Sequence, residues 1–333
     1  MNRTSNRCLL TGDIGGTKTT LALVSLSDEN APPIASTTYP SAESAEFEPL
    51  LERFLAAHPA VPSRATIAVA GPVFERRAQV TNLPWNIDAA TIENRFGIPE
   101  VILVNDIEAL AWAVPHLDGD RLHVLHRGQP KPGGAIAIVA PGTGCGEGFL
   151  IWNGERYVAQ PSEGGHAGFA ALDPNHDELL DYLRSTLDEV FVESICSGGG
   201  LPNIYRFLRD VRELPEEAWL ADRLLHALDP TPVIVAAALD ASSPLCVETL
   251  RWFASLLAAE SRSAALRLLA TGGVFLGGGI PPRILPFLSD GRFVSTFQQE
   301  GTLSDVLKEV PLSVILDPQA ALHGAARRGR APR

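Results

Sequence analysis

Residues Asp13–Leu23 read DIGGTKTTLAL and lie between two apolar, strand-like runs that together extend from Leu9 to Leu26. Strands on both sides of a short turn of small residues make a hairpin. Gly15, Gly16, Thr17 and Lys18 form its tip, and Asp13 stands just before it. The composition admits two readings. One is an ordinary hairpin turn. The other is a phosphate cradle, with backbone N–H groups, Thr17 and Lys18 as donors. In that cradle Asp13 would hold magnesium through water, because the ion takes few protein ligands and keeps several waters. The spacing does not fit GxxxxGK[ST], which excludes a P-loop.

Outward from this turn the strand-to-glycine pattern recurs. Ala135–Ala140 opens into PGTGCGEG, which holds Gly142, Thr143 and Gly144. Gly272–Arg283 reads GGVFLGGGIPPR and carries Gly277, Gly278 and Gly279, where a base or ribose could pack on backbone, although glycine runs are also simply turns. Neither has the GxGxxG spacing of a dinucleotide site, so NAD binding is disfavoured. Val101–Val104 is a continuous apolar run, the pattern of a strand buried on both faces, and Asn105-Asp106 follows its end. A further strand at Ala65–Val69 stops at Gly71-Pro72. Helical spacing covers Phe47–His58, Ile107–Val114, Asp177–Leu187, Leu201–Val211 and Leu245–Ala270, the last expected to break near Ser261. Apolar strands discharging into glycine turns indicate an α/β fold whose ligands sit beyond strand ends.

A chain of 333 residues exceeds the size at which a single core stops growing. Two domains are expected: a small α/β domain over 1–114, completed by 316–333, and a large α/β domain over 115–315. The net charge of −12 repels polyanions and argues against nucleic acid as a partner. The one basic cluster, the terminal AARRGRAPR, reads as a frayed end. Cys8, Cys145, Cys196 and Cys246 form no CxxC pair, so they read as reduced, buried thiols rather than a zinc site or disulfide framework. No segment reaches 18 uninterrupted apolar residues, so no membrane partner is expected. MNRTSNR lacks an apolar signal core, which points to the cytoplasm.

The remaining polar residues suit a polyol: Asn105-Asp106, the EGGH string from Glu163 to His166, and Glu193 before SGGG. A sugar presents several hydroxyls that both donate and accept, so its recognition needs convergent carboxylate, amide and imidazole groups. Each residue also has a plainer reading. Asp106 suits the N-cap of the following helix, His166 a satisfied loop histidine, and Glu193 a solvated helix-start carboxylate.

Taken in order, DIGGTKTTLAL, TNLPW at Thr81–Trp85, VNDIEA, GTGCG, SEGGHAGFA, VESICSGGGLPNIYR and GGVFLGGGIPPR resemble the bacterial glucokinase family over nearly the whole chain. The resemblance implies an α/β, two-domain actin-like ATPase (ribonuclease H-like) fold, with an active-site cleft between a smaller and a larger domain. It implies ATP and magnesium as cofactors, glucose as substrate and a homodimer as the assembly. Residue by residue, it makes Asp106 the catalytic base and Asn105, Glu163, His166 and Glu193 the sugar ligands. The nucleotide turns become Asp13 with Gly15–Lys18, Gly142–Gly144 and Gly277–Gly279.

Two positions depart from the pattern. Gly168 stands where the family commonly carries an acidic residue two positions after the histidine, and Lys18 stands where one branch carries asparagine. Other kinases of the same fold, for another hexose or an amino sugar, share these features. A sugar-sensing protein would not need Asp106 as a base, and a chaperone-like or filament-forming ATPase would not need the EGGH loop. Related sugar kinases and repressors usually carry a cysteine-rich zinc motif, which has no counterpart here.

Overall fold

The computed structural model describes residues 8–331 except 30 and 172. The expectation attached to MNRTSNR lies outside them. The chain divides into two compact units: one runs to Leu117 and resumes at Asp317, the other covers Asp118–Leu316.

In the first unit β1 (Cys8–Ile14) and β2 (Lys18–Ser25) pair antiparallel, as their alternating apolar runs require, with Ile14 opposite Thr19. Then come β3 (Ala35–Pro40), helix α1 (Glu48–Ala57) and β4 (Arg64–Val69). A small antiparallel sheet follows, of β5 (Val73–Phe74), β6 (Arg77–Gln79) and β7 (Asn86–Asp88). Helix α2 (Ala89–Phe96) starts where the Asp88 carboxylate accepts from the Ala90 N–H at 2.8 Å, and it stops at Gly97, whose φ of 65° suits glycine. Last are β8 (Val101–Asn105) and α3 (Asp106–Ala113). The main sheet runs β3-β2-β1-β4-β8, with β1, β4 and β8 parallel. Phe47, Phe54 and Trp85 are fully buried in its core, and the Trp85 indole donates to the Ser44 carbonyl at 3.1 Å.

The second unit contains β9 (Leu122–His126), β10 (Ile136–Pro141), β11 (Cys145–Trp152) and β12 (Tyr157–Ser162). Helices α4 (Pro174–Thr186), α5 (Gly200–Asp210), α6 (Ala218–Leu225), α7 (Thr231–Leu239) and α8 (Pro244–Leu268) follow. The unit ends with β13 (Gly273–Leu276), the short helices α9 (Leu285–Leu288), α10 (Arg292–Phe297) and α11 (Ser304–Glu309), and β14 (Leu312–Ile315). Its sheet runs β12-β11-β10-β13-β14-β9. The first five strands repeat the plan of the other unit: an antiparallel hairpin whose first strand pairs parallel with a later one. This repeat is one of topology, without a short period in sequence.

Two expectations are corrected here. Helix α8 continues through Ser261 without a break. The Ser261 hydroxyl donates to the Leu257 carbonyl at 2.7 Å and Ser263 to Ala259 at 3.0 Å, so both serines bond back within the helix. The basic end is also ordered as far as it is described, because α12 (Ala320–Arg330) packs on α3, β1 and β4. Its small residues explain the fit: a Cβ at Gly324 would overlap the Ala109 carbonyl, and one at Gly329 would crowd Leu9 and Thr66. Arg330 donates to the Ser25 carbonyl at 2.7 Å, and Arg327 pairs with Glu29 at 2.7 Å.

All four cysteines are free and buried. Among the described residues no single helix is long and apolar enough to cross a membrane; α7 and α8 reach the length only together, across a bend of 103°.

Candidate active site

The first unit brings Asp13 and Asp106 to the same edge of its sheet. Parallel pairing sets Asp13 of β1 beside Ala68 of β4 and Asn105 of β8 beside Val69, so both carboxylates emerge at carboxyl ends of strands. Crowding by the surrounding chain and, second, the Asp106 charge push the Asp13 carboxyl up to about 6. The charge of Asp106 thus bears on Asp13 at this strand edge.

Asn105, not Asp106, is the N-cap of α3, so the plainer reading of Asp106 is corrected. The Asn105 side-chain oxygen accepts from the Ile107 N–H at 2.9 Å, while its amide donates to the Gly71 carbonyl at 3.1 Å. Those bonds fix the turn on which Asp106 stands and leave one amide hydrogen of Asn105 for a ligand. Asp106 occupies the first position of the helix, and its Oδ1 shares the Ile107 N–H at 2.9 Å.

The turn from Gly15 to Lys18 closes with the Gly15 N–H donating to the Lys18 carbonyl at 2.9 Å. Thr17 and Lys18 are exposed at its tip. Ser41, which sequence reasoning passed over, braces it from below: its hydroxyl donates to the Gly15 carbonyl at 2.8 Å and its N–H to the Thr17 carbonyl at 3.0 Å. Nothing in the sequence marked that serine apart from its place in a loop.

In the second unit the two other glycine turns are neighbours, because β10 and β13 pair in parallel and each ends in one. The Gly142 N–H donates to the Gly144 carbonyl at 2.8 Å, and the Gly277 N–H to the Val139 carbonyl at 2.9 Å. Gly278 has a φ of 78°, and a Cβ there would overlap the Pro141 carbonyl, so glycine is required on both counts. Thr143 is exposed at the tip of its turn, and nothing would obstruct a Cβ on Gly279.

Glu193 reaches the first of these turns. Its Oε2 accepts from the Cys145 N–H at 2.8 Å, and a Cβ on Gly144 would overlap that carboxylate. The solvated role for Glu193 is thereby replaced by a structural contact at the turn. Glu163 and His166 lie in the short helical loop after β12, with Nδ1 of His166 3.4 Å from Oε2 of Glu163 and both side chains more than half exposed. The His166 ring meets Phe191 edge-on at 5.7 Å, and the Val192 N–H donates to the Ala167 carbonyl at 2.9 Å. The segment bearing Glu193 is thus tied to the loop bearing Glu163 and His166.

Sequence reasoning missed why this loop contains two glycines. A Cβ on Gly165 would overlap the Cys145 carbonyl, and one on Gly164 would overlap the carboxylate of Glu147. It also missed Glu147 itself, whose signal was a lone charge inside the otherwise apolar strand CGEGFLIW. Gly168 has open space around it, so the acidic side chain of the family pattern would fit without displacement. Gly168→Asp is expected to leave the sugar KM within about twofold, as surface changes usually stay within about 0.5 kcal/mol. A titration showing much tighter binding would reveal that the missing carboxylate matters.

Among the described residues no cluster of three or more His, Cys, Asp or Glu side chains could hold a metal on its own. The Asp13–Asp106 pair instead suits a hydrated cation that completes its shell with phosphate and water.

Both units are built on one plan, a hairpin with a polar or glycine tip leading into parallel strands, and this is the actin-like ATPase fold. The solved structure of a ROK family glucokinase from Streptomyces griseus in complex with glucose and AMPPNP shares it, with a TM-score of 0.65 at 21% identity, covering 97% of this chain and 99% of that one. The Glucokinase family profile matches residues 10–331. Glucokinase of Nostoc punctiforme is 39% identical, with 96% of this chain and 97% of that protein covered. A glucokinase crystal structure from an Antarctic psychrotroph superposes with a TM-score of 0.85 at 31% identity, covering 97% and 98% of the two chains. The chain belongs to the glucokinase family.

Proposed function

We propose that this chain transfers the terminal phosphate of ATP to the 6-hydroxyl of glucose, giving glucose 6-phosphate, and that Asp106 accepts the hydroxyl proton. The observation that carries the assignment is Asp106 itself: a carboxylate at a strand end, coupled to Asp13, whose capping task has been taken over by Asn105. A carboxylate at a strand edge, on a helix whose N-cap is its neighbour, suits the role of a base. In phosphoryl transfer the protein mainly positions groups and stabilises charge, so one base and well-aimed donors suffice.

Glu163, His166, Glu193 and Asn105 then serve the ring hydroxyls. Gly15–Lys18, Gly142–Gly144 and Gly277–Gly279 serve the nucleotide through backbone N–H groups and close backbone approach. Magnesium fits the acid pair: Asp13 would hold it through water, and it would supply positive charge to the phosphate oxygens. Cytoplasmic action and a homodimer are the setting that the family suggests.

The test is a coupled assay with ATP, magnesium and a panel of hexoses. Glucose is expected to exceed galactose in kcat/KM by at least about tenfold, since the wrong epimer leaves a polar group unpaired once sugar covers it, at a cost of about 1–3 kcal/mol. Equal specificity constants would remove glucose as the preferred substrate. Hydrolysis of ATP at the same rate with and without sugar would turn the reading towards a plain ATPase.

A further inference from the structure

Beneath the loop of Glu163 and His166 the second unit buries a pair of acids that the proposed reaction leaves unused. Glu147 lies in β11 opposite Ser162 of β12 and is 1% exposed; Glu260, from α8, is 9% exposed. Neither oxygen of Glu147 has an N–H or O–H partner among the described residues. An ionised carboxylate there would bear most of its desolvation cost, with the Arg267 guanidinium 3.8 Å away to offset part of it. One proton shared with Glu260 removes the conflict, because a protonated acid donates and its ionised neighbour accepts.

The surroundings favour that state. Burial first, then the charge of Glu260, push the Glu147 carboxyl above its ordinary range, and burial raises Glu260 as well, while Arg267 pulls both down. Arg267, half exposed on α8, donates to Glu260 Oε1 at 2.9 Å and stands 3.8 Å from Glu147 Oε2. Among the described residues the thiols of Cys145 and Cys196 also feel both acids, and burial drives them further from ionisation.

The pair touches the loop directly. The backbone of Gly164 rests on the Glu147 carboxylate so closely that no side chain fits between them, and the Gly164 N–H is held by the Ser162 hydroxyl at 3.0 Å. We propose that the proton shared by Glu147 and Glu260 sets the height of the 163–166 loop and through it the affinity for sugar, which makes Glu147 a positioning residue. Loss of that proton places two like charges in a buried site with one half-exposed cation. Strand β11 and helix α8 are fixed by their own hydrogen bonds, so the loop is the part that yields. The inference rests on the reading of this loop as the sugar site.

The experiment is the pH profile of the glucose KM and of kcat in the wild-type enzyme, Glu147→Gln, Arg267→Gln and Glu163→Gln. From about pH 7 to about pH 9 the wild-type KM is expected to rise roughly 3–10-fold, a change bounded by one proton, with a smaller change in kcat. Glu147→Gln, neutral at every pH and still a donor to Glu260, should make KM flat over that range. Arg267→Gln removes the cation that favours ionisation, so the rise should move to higher pH. A flat wild-type profile overturns the proposal, as does an unchanged rise in Glu147→Gln; if that variant does not fold, an unmoved rise in Arg267→Gln overturns it equally. Glu163→Gln separates the two readings. If it leaves KM unchanged at every pH, the sugar assignment of the loop fails; if it raises KM while the Glu147 and Arg267 profiles match wild type, only the proton-controlled positioning fails.

Discussion

Asp106→Asn is expected to lower turnover by roughly 10²–10⁴-fold while glucose still binds. Asparagine can hydrogen-bond the 6-hydroxyl but cannot accept its proton. The prediction is sharp because a base and a helix cap respond differently to the change: asparagine at 106 can keep the bond that Oδ1 shares with the Ile107 N–H. Asn105 already caps α3 through the Ile107 N–H, so the substitution leaves the cap intact. What the fold loses is one favourable charge in the first helical turn, worth about 0.3–1 kcal/mol. Thermal denaturation should therefore show a small shift beside a large kinetic loss. Near-normal kcat in the folded variant would exclude Asp106 as the base.

The second large effect is expected at Gly165, a residue that makes no hydrogen bond through a side chain. Gly165→Ala would drive a methyl group into the Cys145 carbonyl. Backbone cannot swing aside as a side chain can, so the loop carrying Glu163 and His166 must lift. A displacement of about 1 Å in a positioning element can cost on the order of 10²-fold, and kcat/KM for glucose should fall by roughly 10–10²-fold. Steady-state kinetics at saturating ATP would measure it. An unchanged kcat/KM would mean that the height of this loop has no bearing on catalysis.

The hairpin at Asp13–Leu23 and the strand at Val101–Val104 were legible because each carries its own signal, alternating or continuous apolar residues ending in polar or glycine turns. Their neighbours were legible for the same reason. Helix α8 was misread at Ser261 because serine acts as a breaker only when its hydroxyl competes for backbone bonds, and here it bonds back within the helix. The basic C-terminal run was misread because its charges are conspicuous, while the small residues that seat it, Gly324 and Gly329 among them, are not. Within the candidate site, Glu163, His166 and Glu193 stood out by side-chain chemistry. The reasons for Gly164 and Gly165, and the roles of Ser41 and Glu147, depend on which strand lies opposite which, and no local pattern encodes that register.

The seating of α3 against α12 also bears on the order in which the protein is made. Asp106 and its helix leave the ribosome early, but α12, the element that α3 packs on most, is not synthesised until Ala320–Arg330, after the whole of the second unit. At translation rates of about 5–20 residues per second, roughly 10–40 s separate the two. The unit encoded in the middle of the chain can finish folding while the one begun first still exposes the apolar faces of β1, β4 and α3. The residue proposed to do the chemistry therefore stands on a helix whose main packing partner is the last element to be made.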